Sequence, residues 1–455
     1  MTPTVKELDR AIPVADEVDV LVCGGGPAGF CAALAAARAG ARTLLVEQCN
    51  CMGGIATAGG HNHLCLYTDW GGGRRVVGGI PFEMVRRVVA AGYGVYRGGQ
   101  IDFELEGLKL ALEQMAAEAN LKLLYHTLFS DAIVDGGRIA GAYIQNKSGR
   151  QAILAGRVID CTGDADVAAS AGAPWEMGRP GDGAVQPCTL MFTIGGVDWP
   201  RVQAFRKGNY KLESVWAAAQ AAGDMEPFQS QIMGWWWTPT RPDQVGVNFT
   251  HMVGCDPTSA RSITDATIEG RRQAFHMIPV FRKYIPGMEN AYLISTAALL
   301  GTRESRRILG EHVLTDDEII ARTAWDDSIA YGSFFIDVHN CTGPGMDGET
   351  YHPEPGFKYQ IPYRCLVPRG IDNLLVAGRC VSVSHRALGS LRVMPQCAAM
   401  GEAAGAAAAL SLEAGTTPRA VDVATLQDRL RTAGAILDDA GIEAAEAEDK
   451  AAATY

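Results

Sequence analysis

VDVLVCGGGPAGFCAALAAARAGARTLLVE, residues 18–47, decides the fold. It opens as a short apolar strand, turns through glycines, continues as a helix of small residues ending near Gly40, and closes a second strand on Glu47. That is a βαβ unit. Gly24, Gly26 and Gly29 follow the first strand as G-x-G-x-x-G, and Glu47 stands 23 positions after the first of them. Glycines there let backbone approach a pyrophosphate, the helix N-terminus supplies positive potential, and the acid accepts ribose hydroxyls. A lone glycine triplet would fit an ordinary tight turn. Strand, helix and acid in register point instead to a bound dinucleotide.

The 455 residues exceed what one core usually serves, and 47 % hydrophobic with 20 % charged residues is ample material to bury. A net charge of −11 without a basic stripe argues against nucleic acid and leaves small molecules as the expected partners. Twelve scattered cysteines lack the spacing of a small disulfide framework and fit a reducing cytoplasm. Residues 20–37 carry no charge, yet Gly24, Gly25, Gly26, Pro27 and Gly29 break them as a membrane span, and Asp16, Glu17 and Asp19 are wrong for a signal peptide.

Further along, helical spacing covers residues 103–119. LFSDAIVDGGRIAGAYIQNKSGRQAILAGRVIDCTGD then alternates strands with turns at Asp135–Gly137 and Asn146–Gly149, a meander feeding a buried strand over Arg157–Cys161. From about 180 to 300 tryptophan and proline increase, as in GWWWTPTRPDQ, which marks a separate substrate-facing region. IDNLLVAGR is an apolar strand stopped by glycine, followed by a loop and a helix of alanine and glycine from Met394 onward. An Ala/Glu-rich tail follows residue 436.

The first fingerprint serves nicotinamide and flavin dinucleotides alike. VIDCTGDAD at 158–166 and NLLVAGR at 373–379 are two more apolar strands ending in glycine turns, as expected when one long FAD is gripped by returning chain. No second dinucleotide motif is present: GGGRR near 73 follows no strand and GPGMDG near 345 opens no helix. CGGGPAG with Glu47, CMGGIATAGG, VIDCTGDAD, GTRESRRILGEH and NLLVAGRCVSVSH running into GSLRVMPQCAAMGEAAG together resemble FAD-dependent oxidoreductases of the glutathione-reductase-like fold, in the branch akin to succinate dehydrogenase and fumarate reductase flavoproteins. The resemblance implies that Gly26, Pro27 and Ala28, between Gly24 and Gly29, face the pyrophosphate and that Glu47 faces the adenosine ribose, with Gln48 and Phe129 also counted among the cofactor-binding residues. Met52, Gly53, Gly54 and Thr57 would lie on the flavin side, and Thr162 and Gly163 would close over the nucleotide. After Gly378 many relatives of the wider fold place an acid for the ribityl chain, whereas this chain has Arg379. The helix starting near Met394 and Cys397 would stabilise charge on the reduced ring, its alanines and glycines permitting close approach.

The same resemblance sets His385 and Arg392 beside a histidine and arginine that hold a substrate carboxylate in those enzymes, similar in order though not in spacing. The alternative has His385 capping a turn and Arg392 paired with Glu402 or another acid. In GTRESRRILGEH, Arg303, Arg306 and Arg307 stand at helical spacings from Glu304 and Glu311, so that Arg303 is either catalytic or part of a solvated ion-pair lattice. His339 in FFIDVHNCTGPG is either a base at the cleft or a buried, satisfied histidine. His61 and His63 follow the flavin-side glycines, and H-x-H on a strand would turn both rings to one face; substrate binding, a covalent flavin bond and plain loop structure remain open, while no third metal ligand is identifiable. Trp235, Trp236 and Trp237 serve either as a stacking surface or as core.

The expected architecture is α/β: a Rossmann-like FAD-binding domain of parallel sheet plus β-meander from residues 1–180 and 300–455, with an inserted α+β substrate region over 181–299. The expected activity is hydride transfer between a small organic substrate and flavin N5 in a cytoplasmic enzyme without metal, compatible with a homo-oligomer. A flavin-dependent monooxygenase and an electron-transfer subunit are the alternatives.

Overall fold

The structure, a computed structural model, describes residue 5 and residues 11–452, so positions 1–4, 6–10 and 453–455 of the expected FAD-binding region lie outside the described residues. The first strand, β1 (Val14–Cys23), runs into helix α1 (Pro27–Arg38) and back through β2 (Thr43–Val46), whose four side chains are all buried. β3 (Lys122–Leu124) extends this parallel edge. The meander is β4 (Leu128–Asp135), β5 (Arg138–Asn146) and β6 (Gly149–Asp160). Its third strand and the buried strand expected at Arg157 are one continuous twelve-residue element. β6 pairs antiparallel with β5 through its first half, and parallel with β7 (Leu374–Val376) through its last three residues. The order β3-β2-β1-β6-β5-β4, with β7 beside the end of β6, leaves Cys23, Val46, Leu124, Asp160 and Val376 in register at one edge. Parallel strands buried on both faces read as continuous apolar runs, which is why this part was visible in the sequence.

Helix α2 (Met394–Glu413) packs on α1 at backbone distance. A Cβ at Gly401 would stand 2.0 Å from the Ala28 carbonyl oxygen, and one at Gly405 would stand 2.0 Å from that of Ala32. Those two glycines therefore answer to α1, and Ala398, Ala403 and Ala404 are fully buried. Small residues expected to admit the flavin ring are used along most of the helix to bring two helices together. The preceding stretch, expected as loop, is a helix over His385–Leu391, with the Ser384 hydroxyl accepting from the Ala387 N–H.

Strands Gly234–Thr238, Arg241–Asn248, Phe192–Gly195 and Tyr292–Thr296 form, in that order, a separate antiparallel sheet. Helix Ala260–Tyr284 covers it around a core containing Trp216, Trp235, Phe249 and Phe281. Trp235 is thus core, whereas Trp236 faces His61 and His63.

One expectation fails for a tertiary reason. GTRESRRILGEH is extended rather than helical, with Arg306–Ile308 pairing Trp175–Met177, and Glu304 and Arg307 are buried rather than part of a solvated lattice. The Ala/Glu-rich tail forms helix Asp439–Ala452; its Ile442 and Ala445 join the core, and Glu448 and Asp449 pair with the buried Arg75. Among the described residues no helix is long and apolar enough to cross a membrane. All twelve cysteines are unpaired.

Candidate functional site

The strand ends converge on the glycine turns. Gly24 adopts φ +96°, and a Cβ there would lie 2.4 Å from the Cys161 carbonyl oxygen; one at Gly29 would lie 1.7 Å from the Gly24 carbonyl oxygen. Gly24 N–H donates to Val46, Cys161 N–H to Cys23 and Ala377 N–H to Asp160. The second glycine segment folds onto the first: Gly53 N–H donates to the Gly25 carbonyl at 2.8 Å, and a Cβ on Gly54 would stand 2.9 Å from Gly26 Cα. Gly378, at φ +94°, meets Ala28, and the Arg379 guanidinium lies over Gly163. Glycine is required here by both handedness and approach. The three distant motifs form one cradle.

Glu47 is held in it by two backbone donors, Gly25 N–H at 2.6 Å and Cys49 N–H at 2.7 Å on its two oxygens. An ionised carboxylate has about four acceptor sites, so ribose hydroxyls can still be received. Gln48 beside it is exposed, and Phe129 lies half-buried on β4 opposite Ile144. Thr57 donates to the Met52 carbonyl at 2.6 Å and so ties the flavin-side loop. Met394 shares one small cavity with Pro27 and Gly53, which brings the start of α2 to the same place. Neither α1 nor α2 has a side-chain cap or an acid in its first turn, so first-turn N–H groups stay available to an anionic partner. Both side-chain amide atoms of the fully buried Gln396 lack a partner, and the Cys397 thiol, donating to the Leu391 carbonyl, is pushed by burial up to about 12. A glycine cradle, two open helix N-termini and unpartnered buried polar atoms fit FAD.

A polar cluster lies where the last loops meet the 192–296 sheet. Glu304 accepts His385 Nδ1 at 2.8 Å, the Gln186 N–H at 3.2 Å, and Arg307. His385 Nε2 is buried without a partner. Arg392 donates to the Asp337 carbonyl and carboxylate, at 2.8 and 3.1 Å, and to Gln186 Oε1 at 3.0 Å. Its acid is therefore Asp337; Glu402 instead accepts from Ile80 N–H. His339 Nε2 lies 3.3 Å from Asp337 Oδ2, with Nδ1 unpartnered. Burial, then the Arg303 charge, pulls His339 down to about 3 despite Asp337. Burial opposes the Asp337 charge, but His339, Arg392 and Arg303 together hold it well below the ordinary carboxylate range.

His61 and His63 both stack on Trp236, with ring centroids 4.3 and 5.1 Å away, so the H-x-H rings do share a face. His61 Nδ1 is unpartnered, and burial brings this histidine down to about 3. His63 Nδ1 meets Asp102 at 2.7 Å.

Sequence reasoning left several contributors unassigned. Asp160, fully buried at the end of β6, accepts from Thr162 N–H and hydroxyl and from Ala168 N–H, and so shapes the turn that carries Thr162 and Gly163. Asp164 pairs with Arg379 at 2.9 Å, so the arginine after Gly378 is held by the turn that carries Gly163. Both aspartates stand in VIDCTGDAD, where acids at a strand end and its turn were the available signal. Asp337 and Gln186 had no such signal, because only tertiary folding brings them to Arg392.

A thiamine thiazole synthase of Aeropyrum pernix is 37 % identical over 128 residues, a match covering 28 % of this chain and 43 % of that protein. The match thus spans less than half of that relative's length. A solved geranylgeranyl bacteriochlorophyll reductase-like protein of Thermoplasma acidophilum aligns with 92 % of this chain and 83 % of its own at 15 % identity, TM-score 0.47. A flavoprotein/dehydrogenase of Cytophaga hutchinsonii aligns with 91 % and 82 % at 13 % identity, TM-score 0.44. The family model described as FAD dependent oxidoreductase matches residues 19–430, spanning the cradle and the polar cluster alike, and the chain belongs to that family of FAD-using oxidoreductases.

Proposed function

We propose that the protein transfers a hydride between a small organic substrate, such as an alcohol, sugar or amine, and FAD, with the substrate held between the cradle and the 192–296 sheet. Bound FAD supplies the two-electron acceptor at N5. The observation that carries the reading is the arrangement of His385. Its Nδ1 is turned to Glu304 at 2.8 Å, which leaves Nε2 as the free lone pair in a buried position at the N-terminus of the short helix that precedes α2. In the oxidative direction the substrate C–H bond gives up its electron pair with the hydrogen, the O–H or N–H proton passes to His385 Nε2, and a carbonyl or imine forms. Glu304 holds the ring orientation. His339 is a weaker candidate base, because a histidine pulled down to about 3 has too little affinity for a proton to take one readily from substrate. Arg392 orients the Asp337 and Gln186 side chains that flank the site.

Anaerobic mixing of the holoenzyme with polyols, sugars, amines and hydroxy acids tests this, read as loss of the visible flavin absorbance. At least one class should bleach the flavin without any partner protein. Bleaching only when a protein partner is added would replace the reading by electron transfer between subunits.

A further inference from the structure

One cluster of reactive side chains takes no part in the proposed hydride transfer. It stands on the strand His63–Cys65, which pairs antiparallel with Gln100–Phe103 so that His63 lies opposite Asp102. Residues two apart on a strand point to the same side, so Cys65 follows His63 on one face. His63 Nδ1 meets Asp102 Oδ1 at 2.7 Å, and the same imidazole is hydrogen-bonded to the Cys65 thiol. Arg97 donates to the second oxygen of Asp102 at 3.1 Å, and Trp236 stacks on the histidine ring with centroids 5.1 Å apart. Thiol, imidazole and carboxylate thus form a chain of contacts: a nucleophile, a proton carrier and the group that orients the carrier.

The carrier is charged. Burial is the largest single influence on His63 and opposes its proton, but the hydrogen bonds and charges of Asp102 and Cys65 together lift it to about 9. An imidazolium beside a sulfur steadies negative charge as it develops there, and can hand a proton to a leaving group. His61, 6.3 Å away, is pulled down to about 3, chiefly by burial, and adds no competing charge at neutral pH. The other cysteines lack this setting. Of the twelve, ten are buried, and Cys49 and Cys65 are partly exposed. The Cys49 thiol is pushed up to about 12 by burial and by the Glu47 carboxylate, so it keeps its proton. Cys255, 4 % exposed, has the Cys188 thiol and the Ser262 hydroxyl as partners, and neither is a base at neutral pH.

We infer that Cys65 is a nucleophilic thiol whose oxidant is hydrogen peroxide, with His63 as its proton carrier and Asp102 as the residue that positions the ring. Sulfur attacks one peroxide oxygen, an S–O bond forms and the O–O bond breaks. The leaving hydroxide takes a proton from His63 and departs as water, and the thiol proton replaces it on the ring. Cys65 becomes a sulfenic acid, oxidised by two electrons, and the peroxide is reduced to water. Peroxide is small enough to reach a partly exposed thiol, and it is what a reduced flavin releases when dioxygen takes its electrons. The inference does not depend on which substrate reduces the flavin.

The test exposes holoenzyme with oxidised flavin to hydrogen peroxide, traps sulfenic acid with dimedone and locates the label by peptide mapping in a mass spectrometer. Cys65 should be labelled first and Cys49 not at all. His63→Gln should slow the peroxide reaction of Cys65 on the order of a hundredfold. It should slow alkylation by iodoacetamide less, because iodide leaves without a proton. Asp102→Asn should slow the peroxide reaction too, and Asp102→Glu should restore part of it. Labelling of Cys49 or Cys255 ahead of Cys65 in the wild type overturns the inference without recourse to any variant. Equal slowing of both reactions in His63→Gln, which a mere loss of access would give, overturns the proton path, and so does an unchanged peroxide rate.

Discussion

Replacing Glu402 by glutamine tests the packing of α2 through one proton. Glu402 is 2 % exposed; one oxygen accepts from Ile80 N–H at 3.1 Å and the other has no partner. Burial raises its pKa from 4.5 to about 8, against the smaller opposing pull of Ile80 N–H and Arg38. Between those values the unfolded chain has released a proton that the folded chain still holds. The unfolded state thus binds fewer protons, and stability falls as pH rises from 4.5 towards 8. At 1.36 kcal/mol per unit, the cost that accrues between pH 5 and pH 8 has a ceiling of about 4 kcal/mol. Glutamine keeps the acceptor for Ile80 and cannot ionise. Any new cost of its amide in the unpartnered position applies at both pH values, so the difference between them isolates the proton. Urea unfolding of FAD-saturated wild type and Glu402→Gln at pH 5 and pH 8 should show the variant gaining stability at the higher pH only. An equal effect at both would mean that Glu402 is ionised in the folded protein, and the reasoning from burial would fail.

Gly405→Ala places a Cβ 2.0 Å from the Ala32 carbonyl, so overpacking should cost about 1–3 kcal/mol and displace α1, lowering both the melting temperature and the FAD retained through purification. If neither changes, the two helices are not locked as described. For His63, burial is the largest single influence and lowers the pKa, but the hydrogen bonds and charges of Asp102 and Cys65 together outweigh it and lift it to about 9. That contribution is whole below about pH 6.5 and is lost as pH rises to 9, so wild type should lose up to ~3 kcal/mol over that window while Asp102→Asn loses little in chemical denaturation. His385→Asn should slow substrate-driven flavin bleaching by roughly 10²- to 10⁴-fold at unchanged FAD content, measured by anaerobic stopped flow. An unchanged rate would remove His385 as the proton acceptor.

What could be read from the sequence divides along a physical line. Gly24, Gly29, Gly53 and Gly378 were legible because a positive φ or a backbone contact leaves no substitute for glycine, and the demand is visible in one residue and its neighbours. The apolar runs of β1, β2, β6 and β7 were legible for the same local reason. Residues 301–312 were misread because Arg303, Glu304 and Arg307 stand three and four apart, a spacing that a helix would use, while the strand partner that makes the segment extended, Trp175–Met177, lies more than a hundred positions away. The charges suffered in the same way. Arg392 and Arg303 look alike in sequence, and the pattern borrowed from succinate dehydrogenase and fumarate reductase favoured Arg392 as the group for a substrate acid. In the folded chain Asp337, 55 positions away, has taken Arg392, and among the described residues no carboxylate pairs with Arg303. Charge balance is a property of the assembled site rather than of any motif. An arginine's pairing follows from which carboxylates the fold has already spent: Arg392 holds Asp337, whereas Arg303, at the same kind of position in sequence, donates to the Pro187 carbonyl and Asn248 Oδ1.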